Sequence, residues 1–326
     1  MRTLKKAKVA GRRVLVRVDY NSLPIRQSEP RIDKSIPTLK YLLSKKASVI
    51  LLTHLESNDG KTPSTKILLG YLRKKYFKNI KFNSLDLKPG EISLMENIRF
   101  DKREKKADMK FAQELAEMGD VYVNEAFSAS HREHTSIVLL PKILPSYIGL
   151  HFEEEIRNLS KAFNPPHPFT IILGGGKIET KLPMLKSLLP KIDYALMGGK
   201  VLNDFVFGEY PLKSKKIILP KDVVIVGKKV FDVGSGSFDE WAGILKRSKL
   251  VVWNGPLGFM EKGYTEGTKK LITILYKTKA HVIIGGGDTL EYLPSGVPKN
   301  IFISTGGGAM LDYLSLKTLP GVKALS

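Results

Sequence analysis

The chain contains no cysteine. That absence excludes disulfide staples, thiolate nucleophiles and cysteine-based zinc sites together. No apolar run approaches the roughly 20 residues that a membrane-spanning helix requires. Met1 to Arg17 starts basic but develops no apolar core followed by a small-residue cleavage site, so no signal peptide is expected and a cytoplasmic chain is. Acidic side chains are the minority: 32 Asp+Glu stand against 53 Lys+Arg, a formal net charge of +21. A field of this sign attracts anions, whether nucleic acid, anionic lipid or phosphorylated metabolites. Residues 1–50 hold much of the imbalance, with 13 basic and 3 acidic side chains. The basic residues are dispersed, however, and form no arm or tail. No aromatic-interleaved basic groove or RNA-binding motif accompanies them.

At 326 residues the chain exceeds the size at which one core stops growing, and two domains are expected. Short apolar runs ending in Gly, Asn or His recur throughout. In the first half they are Val14–Val18, Val49–Thr53, Ile92–Met95 and Val121–Val123. In the second they are Thr170–Leu173, Tyr194–Met197, Asp222–Val226, Leu250–Trp253, His281–Ile284 and Ile301–Ser304. Continuous runs, rather than alternation, suit parallel strands buried on both faces. The segments between them read as helices. Ile36 to Lys46 places Leu39, Leu42 and Leu43 on one face, with Pro37 in the first turn. Asp108 to Met118 carries Phe111, Ala112, Leu115 and Ala116, with Asp108 as N-cap and Gly119 as stop. The fold class is therefore α/β, with parallel sheets on both sides of the middle. Glu153 to Phe163 reads as an amphipathic helix ended by Asn164-Pro165-Pro166-His167-Pro168, and the domain junction is placed there.

Glycine-rich loops follow strands in the second half: Gly174-Gly175-Gly176-Lys177, Gly198-Gly199-Lys200, Gly285-Gly286-Gly287-Asp288-Thr289 and Thr305-Gly306-Gly307-Gly308. Glycine lets backbone approach a ligand closely, and a following helix offers free N–H groups to an anion. None of these loops has P-loop or dinucleotide-fingerprint spacing. Lys177 and Lys181 flank the first loop, where ammonium groups either reach phosphate or lie solvated on the surface. Asp288 suits both a Mg²⁺ ligand and the N-cap of a helix after Thr289.

In this order, these segments resemble the phosphoglycerate kinase family. The N-terminal half offers Arg17-Val18-Asp19-Tyr20-Asn21, Arg31-Ile32, Thr53-His54-Leu55, Glu96-Asn97-Ile98-Arg99-Phe100, Val123-Asn124-Glu125-Ala126-Phe127 and His131-Arg132-Glu133-His134. The C-terminal half offers Gly174 to Lys181, Trp253-Asn254-Gly255-Pro256, Glu261, Gly285 to Thr289, Ser304 to Ala309 and Leu319 to Val322. The resemblance implies two doubly wound parallel-sheet domains facing a cleft and joined by a connector helix. It implies a phosphoglycerate-binding domain over 1–152, the connector over 153–163 and a nucleotide-binding domain over 164–304. Residues 305–326 would return to the first domain, and turnover would require closure about the connector.

Carried over by position, Asp19, Tyr20, Asn21, Arg31, His54, Arg99 and Arg132 would bind 3-phosphoglycerate or 1,3-bisphosphoglycerate. Lys177, Lys181, Gly199, Asn254, Pro256, Glu261, Gly286, Gly287, Asp288 and Thr289 would bind ADP or ATP, with Asp288 on Mg²⁺. Arg31 and Lys181 would be catalytic, and backbone N–H groups of Gly306, Gly307 and Gly308 would stabilise the moving phosphoryl group. The expected protein is a monomeric, cytoplasmic glycolytic kinase with a carboxyl group as acceptor, binding neither membrane nor nucleic acid. Outside the resemblance, His54 and His131 read equally as half-buried histidines, and Arg99 and Arg132 as ion-pair partners.

The chain departs from the family pattern in places. His54-Leu55 continues with Glu56-Ser57 where the family has Gly-Arg, removing a contact to the substrate phosphate. One charge-assisted hydrogen bond lost costs roughly 1.5–3 kcal/mol, about ten- to hundredfold in affinity. Arg26 and Lys61 are the candidates to compensate. Lys200 stands where a third glycine is expected, the loops after Asn21 and His54 are compact, and a helix is missing between Phe205 and Asp222. These departures leave an alternative open, a non-catalytic descendant that binds anions or RNA.

Overall fold

The computed structural model describes residues 1–326 except 26–28, 58, 177 and 208–213; of 204, 206, 207 and 288 it describes the backbone only. The chain divides into two compact units, Met1–Ile156 with Thr318–Ser326, and Arg157–Lys317. The division falls inside the helix Leu150–Leu159. Of the tail, Thr318–Ser326 belongs to the first unit, while 305–317 stays with the second.

The first unit is built on a six-stranded parallel sheet. Its strands are β1 (Arg13–Arg17), β2 (Ser48–Leu52), β3 (Lys81–Phe82), β4 (Ile92–Leu94), β5 (Val121–Asn124) and β6 (Ser146–Ile148). They lie in the order β3-β4-β2-β1-β5-β6. Every residue of β2 and β5 is buried, which is what makes these strands read as unbroken apolar runs. Val14, Val16, Val49 and Leu51 pack with Leu39 and Leu42 of the helix Pro30–Ser44. Fully burying each such side chain contributes about 1.5–3 kcal/mol.

That helix starts earlier than its sequence pattern suggests. Pro30 takes the first turn and Pro37 lies inside, rather than at the N-terminus expected at Ile36. An interior proline costs about 3 kcal/mol. Burial of Ile32, Ile36, Leu39 and Leu42 along one face offsets it. The helix Met109–Ala116 forms as read, the Asp108 carboxylate accepting from the Phe111 N–H at 2.8 Å. The C-terminal turn Pro320–Lys323 packs on Thr135–Leu139 of the same unit, and Gly321 N–H donates to Ser130 O at 2.9 Å.

The second unit repeats the plan. Its strands are β7 (Phe169–Leu173), β8 (Tyr194–Met197), β9 (Ile217–Ile218), β10 (Val223–Val226), β11 (Lys229–Val233), β12 (Leu250–Asn254), β13 (His281–Gly285) and β14 (Ile301–Ile303). Six of them form a parallel sheet in the order β14-β13-β12-β7-β8-β9. Trp241 and Trp253 anchor the core on one face, and the helix Gly308–Leu316 packs on Leu182–Leu188. The apolar run Asp222–Val226 is not a buried parallel strand: β10 pairs antiparallel with β11 in a separate ribbon. There Val224, Ile225 and Val226 are all exposed, because this edge of a two-stranded ribbon is covered on neither face. Among the described residues no helix is long and apolar enough to cross a membrane.

In each sheet the strand order reverses once, between β1 and β5 in the first unit and between β7 and β12 in the second. Ligands of open α/β sheets bind at such reversals, beyond the carboxyl ends of the strands.

Candidate active site

In the first unit, Asp19 follows β1, His54 follows β2, Arg99 follows β4 and Arg132 follows β5, all at carboxyl ends. Asp19 organises the first group. Its carboxylate lies 3.3 Å from Arg31 Nη1 and 3.8 Å from His54 Nε2. It also accepts from the Asn21 N–H at 3.1 Å and from the Ser128 hydroxyl. Ser128 comes from the loop after β5, so these contacts bridge the reversal point. Burial opposes the charge on Asp19, but the Arg31 guanidinium, the Ser128 hydroxyl and Arg17 outweigh it and hold the carboxyl well below its ordinary range. Arg31 in turn donates to Asn21 O at 3.0 Å.

Arg17, fully buried on β1, holds His54 from the other side: Nη2 lies 3.0 Å from His54 Nδ1, and Nε donates to Ser136 Oγ at 2.9 Å. Ser136 in turn donates its hydroxyl, at 2.6 Å, and its N–H to the buried Glu104 carboxylate. Burial and the neighbouring Arg17, Arg99 and Arg132, only partly opposed by Asp19, keep His54 neutral. An arginine donor at Nδ1 leaves the proton on Nε2, facing Asp19.

Arg99 forms the second group. Its side chain is 1% exposed, and Nη1 pairs with the Glu56 carboxylate. The other Glu56 oxygen accepts from Lys105 Nζ at 2.7 Å, and the Glu56 N–H donates to Asn21 Oδ1 at 2.8 Å. Arg99 Nε and Nη2 are buried with no hydrogen-bond partner among the described residues. Burial, together with Arg132 and Arg17 and against the pull of Glu56, brings the Arg99 guanidinium down to about 10. Arg132 is exposed, with Nε 3.4 Å from His131 Nε2.

Asp19, Asn21, Arg31, His54 and Arg99 are therefore brought together as the sequence suggests, and Arg132 joins their electrostatic neighbourhood. Tyr20 is a correction. Its ring lies in the core and its hydroxyl meets Ser35 Oγ at 2.7 Å, because backbone alternation turns it inward between Asp19 and Asn21. Lys61, a candidate to compensate for the missing arginine, pairs instead with Asp59 at 2.8 Å and is 82% exposed. The extra cation is Lys105, which neither the motifs nor the spacing marked; Arg26 lies outside the described residues.

The second unit's site is made of backbone. A Cβ on Gly199 would sit 2.4 Å from Gly175 N and 2.7 Å from Pro256 O, and Gly199 has φ +60°. One on Gly255 would sit 2.4 Å from Gly174 O. The loops after β7, β8 and β12 thus touch main chain to main chain, which only glycine permits. Beside them lies a cleft of about 210 Å³, lined by Gly175, Gly176, Lys200, Pro256, Glu261 and Tyr292 among others. Lys200 places its ammonium 4.1 Å from the centre of the Phe259 ring. This cation–π contact turns a charge that replaces a glycine into part of the cleft wall.

Asn254, at the end of β12, and Lys181, before the helix Leu182–Leu188, are 5% and 6% exposed. Thr289 is fully buried, and its Oγ1 has no hydrogen-bond partner among the described residues. Gly286, at φ +104°, leads into the turn Gly287–Leu290. Lys177 and the Asp288 side chain lie outside the described residues. In the Gly-rich stretch that leads into the helix Gly308–Leu316, the Gly306 N–H donates to Ser304 Oγ at 3.2 Å.

A scan against protein-family models matches phosphoglycerate kinase at residues 4–215 and 208–317. The phosphoglycerate kinase of Finegoldia magna is 34% identical over 390 aligned positions, covering 99% of this chain and 98% of that one. That of Coprothermobacter proteolyticus is 33% identical over 388 positions. An alignment of 390 positions for a chain of 326 residues means that this chain lacks segments that the relative has. Among solved structures, phosphoglycerate kinase from Coxiella burnetii superposes with a TM-score of 0.82 at 28% identity, covering 99% of this chain and 98% of that one. The enzyme from Pyrococcus horikoshii superposes with a TM-score of 0.87 at 25% identity over 100% of this chain and 98% of its own. With the family model spanning nearly the whole sequence and relatives a third identical over almost the full length, the chain belongs to the phosphoglycerate kinase family.

Proposed function

We propose that the protein catalyses reversible phosphoryl transfer from 1,3-bisphosphoglycerate to ADP, giving 3-phosphoglycerate and ATP. The observation that carries the substrate assignment is Arg99, whose buried Nε and Nη2 lack partners among the described residues, in the field of Arg17 and Arg132 and with Lys105 on the same Glu56 carboxylate. Buried cationic donors without acceptors are costly, and phosphate or carboxylate oxygens satisfy them. The first unit is assigned the phosphoglycerate, through Asp19, Asn21, Arg31, His54, Arg99 and Arg132.

The second unit is assigned the nucleotide. The apolar wall of the cleft at Pro256 suits the adenine, and Glu261 suits ribose hydroxyls. The nucleotide brings its Mg²⁺ as part of the substrate. A metal held mainly by phosphate oxygens needs only one or two protein carboxylates, and Asp288, the residue before Thr289 in sequence, is assigned that role.

The acceptor is a carboxylate, already ionised at neutral pH, so no general base is required. Catalysis is positioning and positive charge around an in-line phosphoryl group. Arg31 and Lys181 are assigned to that group, assisted by the N–H groups of Gly307 and Gly308. A monomeric, cytoplasmic enzyme completes the reading, and no observation among the described residues favours the RNA-binding alternative. The test is ATP formation from 1,3-bisphosphoglycerate and Mg-ADP. Arg31→Ala and Lys181→Ala should each lower kcat by about 10²–10³-fold. Unchanged turnover in either variant would remove that residue from the mechanism, and a folded but inactive wild type would overturn the proposal.

A further inference from the structure

Glu56 stands inside the cationic cluster of the first unit and uses both of its oxygens there. One pairs with Arg99 Nη1, the other with Lys105 Nζ at 2.7 Å, and the backbone N–H of Glu56 is tied to Asn21 Oδ1 at 2.8 Å. We propose that the Glu56 carboxylate is an internal competitor for the phosphate of phosphoglycerate. It occupies the cations which that phosphate requires and must leave when substrate binds. This inference rests on the proposed assignment of the phosphoglycerate to the first unit.

Three features favour exchange over a permanent ion pair. The first is a mismatch of donors. The planar carboxylate engages Nη1 and leaves the Nε/Nη2 edge of Arg99 buried and unpaired. A phosphate monoester presents three terminal oxygens and a charge of about −1.5 to −2, so it can take two nitrogens of Arg99 in a bidentate pair and leave a third oxygen for Lys105. The second is exposure. The Glu56 side chain is 28% exposed and Lys105 48%, whereas Arg99 is 1% exposed. The carboxylate can therefore swing to water while the guanidinium stays in place. The third is chemistry: Lys105, then Arg99, hold Glu56 below the ordinary carboxylate range, so it competes as an anion throughout the neutral range.

The experiment measures KM for 3-phosphoglycerate, kcat, and inhibition by inorganic sulfate in wild type, Glu56→Gln and Glu56→Ser. Thermal unfolding confirms that each variant is folded. The expected result is a KM lowered about tenfold in both variants, with kcat within about twofold of wild type and sulfate a correspondingly stronger competitor. A KM that is unchanged or raised overturns the inference, since it would make Glu56 a residue that orients Arg99 for the substrate. If calorimetry finds no 3-phosphoglycerate binding to wild type or to either folded variant, the substrate assignment itself falls and takes the inference with it.

Discussion

Arg17 Nη2 lies 3.0 Å from His54 Nδ1, and that contact decides which proton His54 carries. Arginine has only donors, so Nδ1 accepts and Nε2 keeps the hydrogen that points to Asp19, 3.8 Å away. His54 should therefore give the spectrum of a neutral Nε2–H imidazole in ¹⁵N NMR. Its resonances should stay flat as pH falls through the ordinary histidine range near 6.5. A midpoint at or above that value would contradict the arrangement. Replacing His54 with Phe strands a buried arginine donor and should destabilise the protein by about 1–3 kcal/mol, read from urea denaturation.

Gly199 predicts a purely steric phenotype. With φ +60° and Gly175 N 2.4 Å from any added Cβ, Gly199→Ala forces the loops after β7 and β8 apart. The expected outcome is a loss of about 1–3 kcal/mol in stability together with weakened Mg-ADP binding. The affinity for 3-phosphoglycerate should stay as it was. Calorimetric titration with each ligand separates the effects.

His151 gives the stability profile an alkaline edge. Burial works against its charge, but Glu154 and Glu155, with carboxylates 3.9 and 3.4 Å from the ring nitrogens, lift it to about 9. A raised folded-state value means that its contribution is complete below the unfolded value of 6.5 and is lost as pH rises through 9. The urea midpoint of wild type should fall between pH 7 and 9.5, and His151→Gln should remove part of that fall. His134 acts in the opposite sense. Burial and the charges of Arg99 and Arg132 hold it down to about 4, so it withdraws stability as pH falls from 6.5 toward 4. Substituting His134 with Asn should soften the acid edge and leave the alkaline one intact.

Much of this was legible in the chain. The buried strands of both sheets announce themselves as unbroken apolar runs, and the Asp108 cap is visible in its spacing to Phe111. The same signal misleads at Val223–Val226, because an apolar run does not say whether a strand sits in a layered sheet or in a two-stranded ribbon. Pro37 misplaced a helix start because proline is usually found in a first turn, and nothing local reveals that flanking burial will tolerate it farther in. Within the site, the resemblance to the family, carried by ordered short motifs, located Asp19, His54 and Arg99. What remained hidden were the pairings. Glu56 meets Arg99 and Lys105 from positions 43 and 49 residues away in sequence, through loops whose course no periodicity encodes.

The central claim is that the two units divide the substrates between them. Calorimetric titration of wild type, Arg99→Ala and Glu261→Ala with 3-phosphoglycerate and with Mg-ADP tests it directly. The account predicts that Arg99→Ala loses 3-phosphoglycerate by about ten- to hundredfold and keeps Mg-ADP, while Glu261→Ala weakens only Mg-ADP. Loss of the opposite ligand in either variant, or no loss in either, would contradict it.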